Sequence, residues 1–120
     1  MAKAPRPSRG EIWIVQFDPA VGSEIRKARP AVIMNVRGVG RLPANVVVPI
    51  TDWKSEYAAL SWFVFLPASP ENGLSKNSGA DTFQIKSLSH LRFVRRLGEV
   101  DDDQLDEIAA AIAVCVGYRP

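Results

Sequence analysis

Gly22-Ser23-Glu24-Ile25-Arg26-Lys27-Ala28-Arg29-Pro30 runs straight into the apolar Ala31-Val32-Ile33-Met34, a short charged connection set between two strand-like segments. Before it, Glu11-Ile12-Trp13-Ile14-Val15-Gln16-Phe17 is β-branched and aromatic, with apolar residues on both alternating faces, and reads as a buried strand. After it, Pro30 to Val36 reads as the next strand. Gly22 relaxes the backbone where the connection begins. Pro30 disfavours helix for Arg29 and holds it extended at the lip of the second strand. A fixed arginine beside a mobile basic loop suits a phosphate, because the guanidinium fork matches phosphate oxygens and keeps its charge at physiological pH.

The rest of the chain continues the pattern of short strands. Asn45 to Ile50 is valine-rich and reads as a third, with Gly38, Gly40 and Pro43 marking the turn before it. Ser61 to Leu66 reads as a fourth, Pro67 to Gly79 as a long surface loop, Thr82 to Ile85 as extended, and Phe93 to Leu97 as a final short strand. One helix is expected. Asp101 caps it with Gln104 three positions on, and Asp102 and Asp103 favour the positive end of its dipole. Leu105, Ile108, Ala109, Ile112 and Val116 share one face, and Gly117 ends the run. The fold class is mostly β with a C-terminal helix (α+β), a small barrel or strongly bent sheet. Residues 1–8 read as a flexible lead-in and 9–118 as a single domain.

A chain of 120 residues builds one core, small enough that dimerisation would help to bury apolar surface. No apolar run approaches the roughly 20 residues of a membrane span, and the basic start lacks the apolar segment of a signal peptide. The single cysteine, Cys115, excludes an internal disulfide, so the cytoplasm is the expected compartment. The net charge of +2 hides an asymmetry: residues 1–100 carry fourteen basic and eight acidic side chains, residues 101–120 one and five. A basic body with an acidic helix suits a polyanionic partner on one face.

Several chemistries are excluded. The lone His90 cannot form a pair of imidazoles acting as acid and base, and one His with one Cys cannot make a four-ligand zinc site. There is no glycine-rich phosphate loop and no nucleophile elbow. Asp101 to Asp103 read as helix capping rather than metal ligands, and Cys115 as a small core residue rather than a nucleophile. No metal or cofactor is expected.

The order Arg9-Gly10-Glu11-Ile12-Trp13, Asp18-Pro19, Gly22-Ser23-Glu24, Arg29-Pro30-Ala31-Val32 and Pro49-Ile50-Thr51 resembles the MazF/PemK family of toxin endoribonucleases, from about Arg9 to Tyr118. The resemblance implies an SH3-like barrel of the MazF/PemK/CcdB type and a homodimer. It also implies metal-independent, sequence-selective cleavage of single-stranded RNA, inhibition of translation and growth, and neutralisation by a small acidic MazE-like antitoxin. Arg29 and Thr51 match the family's catalytic arginine and threonine; from the residues alone, the alternative for Arg29 is a salt bridge to a carboxylate such as Glu24 or Asp18, against which the Pro-fixed backbone favours phosphate, and Thr51 would be an ordinary strand-end residue. Glu24 is a candidate general base or positioning group. Ser23, Arg26, Lys27, Phe17, Ser78 and Gln84 are expected to contact RNA, Arg26 and Lys27 through its backbone.

The implied reaction is attack of a ribose 2′-hydroxyl on the adjacent phosphate. Arg29 stabilises the charge of the transition state and Thr51 holds a non-bridging oxygen. The chain departs from the family where Ile25-Arg26 replaces a common Gln-Gly, Phe83 a common acid, and Asn77-Ser78 an Asp-Ser pair, so the cleavage sequence of relatives does not transfer. Two rival readings are a same-fold poison of DNA gyrase and a non-catalytic RNA-binding module.

Overall fold

Residues 6–119 are described by the computed structural model. The chain runs β1 (Glu11–Gln16), β2 (Ala28–Ile33), β3 (Ala44–Asp52), β4 (Phe63–Leu66), β5 (Ser78–Asp81), β6 (Lys86–Ser89), β7 (Phe93–Glu99) and α1 (Asp102–Cys115). The strands form an antiparallel sheet in the order β4-β5-β3-β2-β1-β7, with β6 joined to β3 off that path. The long β3 is the branch point: Ala44–Val47 pairs with β6, and Ile50–Asp52 with β5.

Alternation along β2 and β3 feeds a separate core on each face of the sheet. Val32, Val48 and Ile50 pack with Ile12, Leu66, Ala80 and the helix residues Ile108 and Ala111. Ala31, Ile33 and Val47 pack with Val15, Phe17, Leu88 and Phe93. A strand buried on both faces reads as a continuous apolar run, which is how these two strands read. The helix opens on the expected capping box, with Asp101 accepting from the Gln104 amide and the Gln104 side chain from the Asp101 amide.

Three expectations are corrected. The loop expected through Gly79 gives way at Ser78 to β5, whose four residues are all buried; Ser-Gly-Ala-Asp carries no β-branched signal because only small side chains fit between its neighbours. Thr82–Gln84 is a 3₁₀ turn, nucleated by Asp81 accepting from the Phe83 amide, and the strand follows at Lys86. The helix stops at Cys115, so Val116 leaves the helical phase and is 75% exposed, and Cys115 is exposed rather than part of the core. Only Arg6, Pro7 and Ser8 of the lead-in are described, and there the Ser8 amide donates to Glu11 Oε1. Among the described residues no helix is long and apolar enough to cross a membrane.

Candidate functional site

A cleft of about 260 Å³ opens where β2 begins and β3 ends, and it brings together Arg29, Thr51, Asp52, Lys76, Ser78 and Arg95. The register explains why. The β2–β3 pairing runs Ile33↔Val47, Val32↔Val48, Ala31↔Pro49. Carried two steps further, it sets Arg29 across from Thr51. On the other edge of β3, Thr51 pairs with Gly79 and Asp52 with Ser78. On the far side, Ile14 pairs with both Pro30 and Arg95, which brings β7 into the wall.

Arg29 is exposed, and its Nε donates to the Arg26 carbonyl at 3.3 Å. Neither Glu24 nor Asp18 pairs with it; among the described residues no ion pair involves Arg29 at all. The bland alternative for this arginine is therefore not realised. Arg95 shares its freedom. Next to it, Arg96 binds Glu11 at 2.8 Å and Glu99 at 3.5 Å, and strand alternation sends the two guanidiniums opposite ways. Lys76 meets Asp52 at 3.8 Å, with both side chains about 70% exposed, a geometry worth little in water. Ser78 lines the cleft while its Oγ donates to the Lys76 carbonyl at 2.8 Å.

The other expected residues stand elsewhere. Glu24 does not line the cleft: its Oε1 accepts from the Val21 amide at 2.6 Å and its Oε2 meets Lys86 at 3.4 Å. The Val21 amide and then the Lys86 ammonium hold its carboxyl below the ordinary range, which makes it a weaker base. Ser23, Arg26 and Lys27 are exposed on the same loop, with Arg26 Nη2 on the Gly22 carbonyl and Lys27 in the left-handed region at φ 65°. Gln84 ties that loop to the end of β5, accepting from the Ile25 amide at 2.8 Å and donating to Asp81 at 3.0 Å. Phe17 is 1% exposed within the second core, where no nucleotide reaches it, and is corrected from RNA contact to packing.

The sequence reading missed Arg95 and Lys76. The Arg95-Arg96 doublet on a strand was the available signal, since alternation must aim one of the two at any cleft beside that strand. Lys76 lay in what read as a surface loop. The reading also passed over an aromatic group that begins beside the cleft at Trp53, whose ring meets Tyr57 and Phe65 edge to face; Tyr57 in turn stacks on Phe63 at 4.0 Å. Among the described residues no three His, Cys, Asp or Glu side chains are grouped so as to hold a metal ion.

Residues 8–116 match the family model described as PemK-like, MazF-like toxin of type II toxin-antitoxin system. The chain belongs to this PemK/MazF family. It is 37% identical over 110 residues to endoribonuclease MazF9 of Mycobacterium tuberculosis, covering 87% of this chain and 91% of the relative. It is 32% identical over 111 residues to endoribonuclease toxin ChpB of Escherichia coli, covering 89% and 91%. The fold agrees with that of a mycobacterial endoribonuclease solved in complex with its cognate antitoxin, at a TM-score of 0.75 and 18% identity over 96% of this chain and 99% of that one. A mostly antiparallel sheet with one terminal helix is thus the PemK/MazF architecture, as the resemblance implied.

Proposed function

We propose that this PemK/MazF chain is an endoribonuclease toxin that cleaves single-stranded RNA in the Arg29–Thr51 cleft and is held inactive by a cognate acidic antitoxin. The observation that carries this reading is the convergence of two guanidiniums with no ion-pair partner among the described residues, Arg29 and Arg95, with the Thr51 hydroxyl on one small concave surface. Such a surface fits a phosphodiester, with bidentate forks for the anionic oxygens and a hydroxyl donor for one of them.

In this reading the ribose 2′-oxygen gives its proton to water and attacks the adjacent phosphorus, the bond to the 5′-oxygen breaks and that oxygen takes a proton from water, so that a cyclic phosphate and a 5′-hydroxyl result. No external nucleophile is needed. Arg29 and Arg95 stabilise the extra charge on the phosphorane-like transition state, and Thr51 fixes the phosphate so that the 2′-oxygen lies in line. Glu24 and Gln84 position the basic loop rather than transfer protons. Trp53 offers a ring face to an unstacked base beside the scissile phosphate, in the manner of single-strand binders. A homodimer, assembly as one domain over residues 9–118 and action in the cytoplasm complete the proposal.

The test is cleavage of a long single-stranded RNA by the pure protein in the presence of chelator. Discrete cuts are expected, and Arg29→Ala should lower the rate about 10²-fold or more, the size of losing one preorganised transition-state donor, while the melting temperature stays put. Thr51→Val should also impair turnover. Near-normal activity of Arg29→Ala would sink the mechanism, and binding without cuts would make the chain a non-catalytic module.

A further inference from the structure

A second concave surface lies at the other end of β3. It encloses about 780 Å³ and is lined by Arg6, Arg9, Arg37, His90, Asn35 and Asn45. Its remaining walls are small: Pro7, Ser8, Pro43 and Ala44. No carboxylate lines it, and among the described residues no ion pair involves Arg6, Arg9 or Arg37. Three guanidiniums facing one cavity without a counter-charge repel one another unless an anion joins them.

The floor of this pocket is built with fixed hydrogen-bond directions. The Val46 amide donates to Asn35 Oδ1 at 3.0 Å, so that atom is an acceptor. Asn45 Nδ2 donates to the same oxygen at 3.0 Å, which turns Asn45 Oδ1 toward His90 Nε2, 2.7 Å away. His90 Nε2 must therefore carry the hydrogen. Asn45 is 7% exposed, so the imidazole is held by a buried partner rather than left to rotate. All three arginines are exposed, and Arg9 is in addition tied by its Nη1 to the Met34 carbonyl.

Asn45 and Thr51 stand six residues apart on β3 and so share one face of the strand, about 20 Å from end to end at roughly 3.3 Å per residue. Resting on the RNA-cleaving reading above, we propose that the Arg6–Arg37–His90 pocket binds a second phosphate of the RNA strand whose scissile phosphate occupies the Arg29–Thr51 cleft. At about 3.4 Å per stacked nucleotide, 20 Å corresponds to about six nucleotides, fewer where the strand is pulled out. The chemistry favours phosphate over an acidic protein segment. A peptide anchored here would need apolar pockets for its side chains, and the lining contains no large apolar residue.

The test compares the wild type with the double variant Arg6→Ser, Arg37→Ser, using two RNAs made uncleavable by 2′-deoxy substitution at the scissile position. One is a dodecamer of about twelve nucleotides that spans both sites; the other is a trimer of about three that reaches only the cleft. The double variant should bind the dodecamer about tenfold more weakly, with its log–log salt slope reduced by about 0.7, the value for one phosphate contact on a single strand, and should bind the trimer unchanged. An equal effect on both lengths, or an unchanged slope for the dodecamer, overturns the proposal. So does loss of inorganic phosphate or mononucleotide binding with dodecamer binding intact, which would make the pocket a free-phosphate site. Loss of polyglutamate binding alone would reassign it to an acidic protein partner. Because both RNAs are uncleavable, these outcomes read the pocket even if the wild type proves to cut no RNA, which would sink only the cleavage reading.

Discussion

The loop from Asp18 to Lys27 and the segment from Pro67 to Asn77 both lack strand or helix, and both lead into the cleft, yet they are held in opposite ways. The second is anchored at two buried residues, Asn72 and Leu74, although most of its others are exposed. Asn72 is 2% exposed; its Oδ1 accepts from the Ser69 and Leu74 amides and its Nδ2 donates to the Pro67 carbonyl. Leu74 is buried, and the Glu99 amide donates to the Glu71 carbonyl. A Cβ on Gly73 would lie 2.3 Å from the Leu97 carbonyl oxygen, and one on Gly98 2.3 Å from that of Glu71, so the segment and β7 touch backbone to backbone. The first loop has no buried residue, only Ala20 and Ile25 being partly covered, and hangs on side-chain bonds from Gln84, Glu24 and Arg26. Gly73 to Lys76 of the second segment line the cleft, whereas the first loop only leads up to its rim at Arg29.

The largest test of this contrast is Gly73→Ala. The glycine sits at φ 70° against a backbone oxygen that cannot yield, so the loss should be about 2–5 kcal/mol, from left-handed strain plus overpacking. Chemical denaturation measures it, and a loss under about 1 kcal/mol would mean that the floor is softer than described. Gln84→Ala should act on the basic loop. Removing the acceptor for the Ile25 amide should cost about 1 kcal/mol or less. The Ile25 amide should then exchange with solvent much faster while the Leu74 amide does not change. Equal loss of protection at both would erase the distinction.

The smallest effect is expected at Glu24. Its carboxyl is lowered by the Val21 amide and by Lys86, so its contribution is complete above the unfolded carboxylate pKa and is lost as pH falls through the lower folded value. Glu24→Gln should therefore speed Val21 amide exchange at neutral pH and match the wild type once acid has protonated the carboxylate. A difference that persists in acid would assign the hold to something other than charge.

The two segments were not equally legible. The basic loop announced itself, because Gly22, the charges and Pro30 are local signals in a row. Strands β1 to β4 and β7 were visible as β-branched runs, and the helix as a cap with an apolar face. Segment 67–77 carries prolines, glycine and small polar residues, which mark a surface loop when nothing is known of their neighbours. Its burial comes from distant partners, Leu97 and Gly98, and from one asparagine whose bonds are all non-repetitive. Arg29 and Thr51 were legible through the family resemblance and meet through the strand register. Arg95 and Lys76 were not, because which of two adjacent arginines faces the cleft depends on a pairing with Ile14 made across the whole fold.

That pairing also governs when the cleft comes into being. β1 bonds to β2 on one edge and to β7 on the other, so the walls of one small site come from opposite ends of the described chain. Contacts so far apart in sequence are closed late and slowly, because the loop entropy must be overcome before they repay it. A chain with β1 to β5 in place but no β7 has Arg29 and Thr51 without the Leu97 and Gly98 backbone that seats the floor. Partly folded molecules should then be inert toward RNA, and activity should appear in a single step with the last strand.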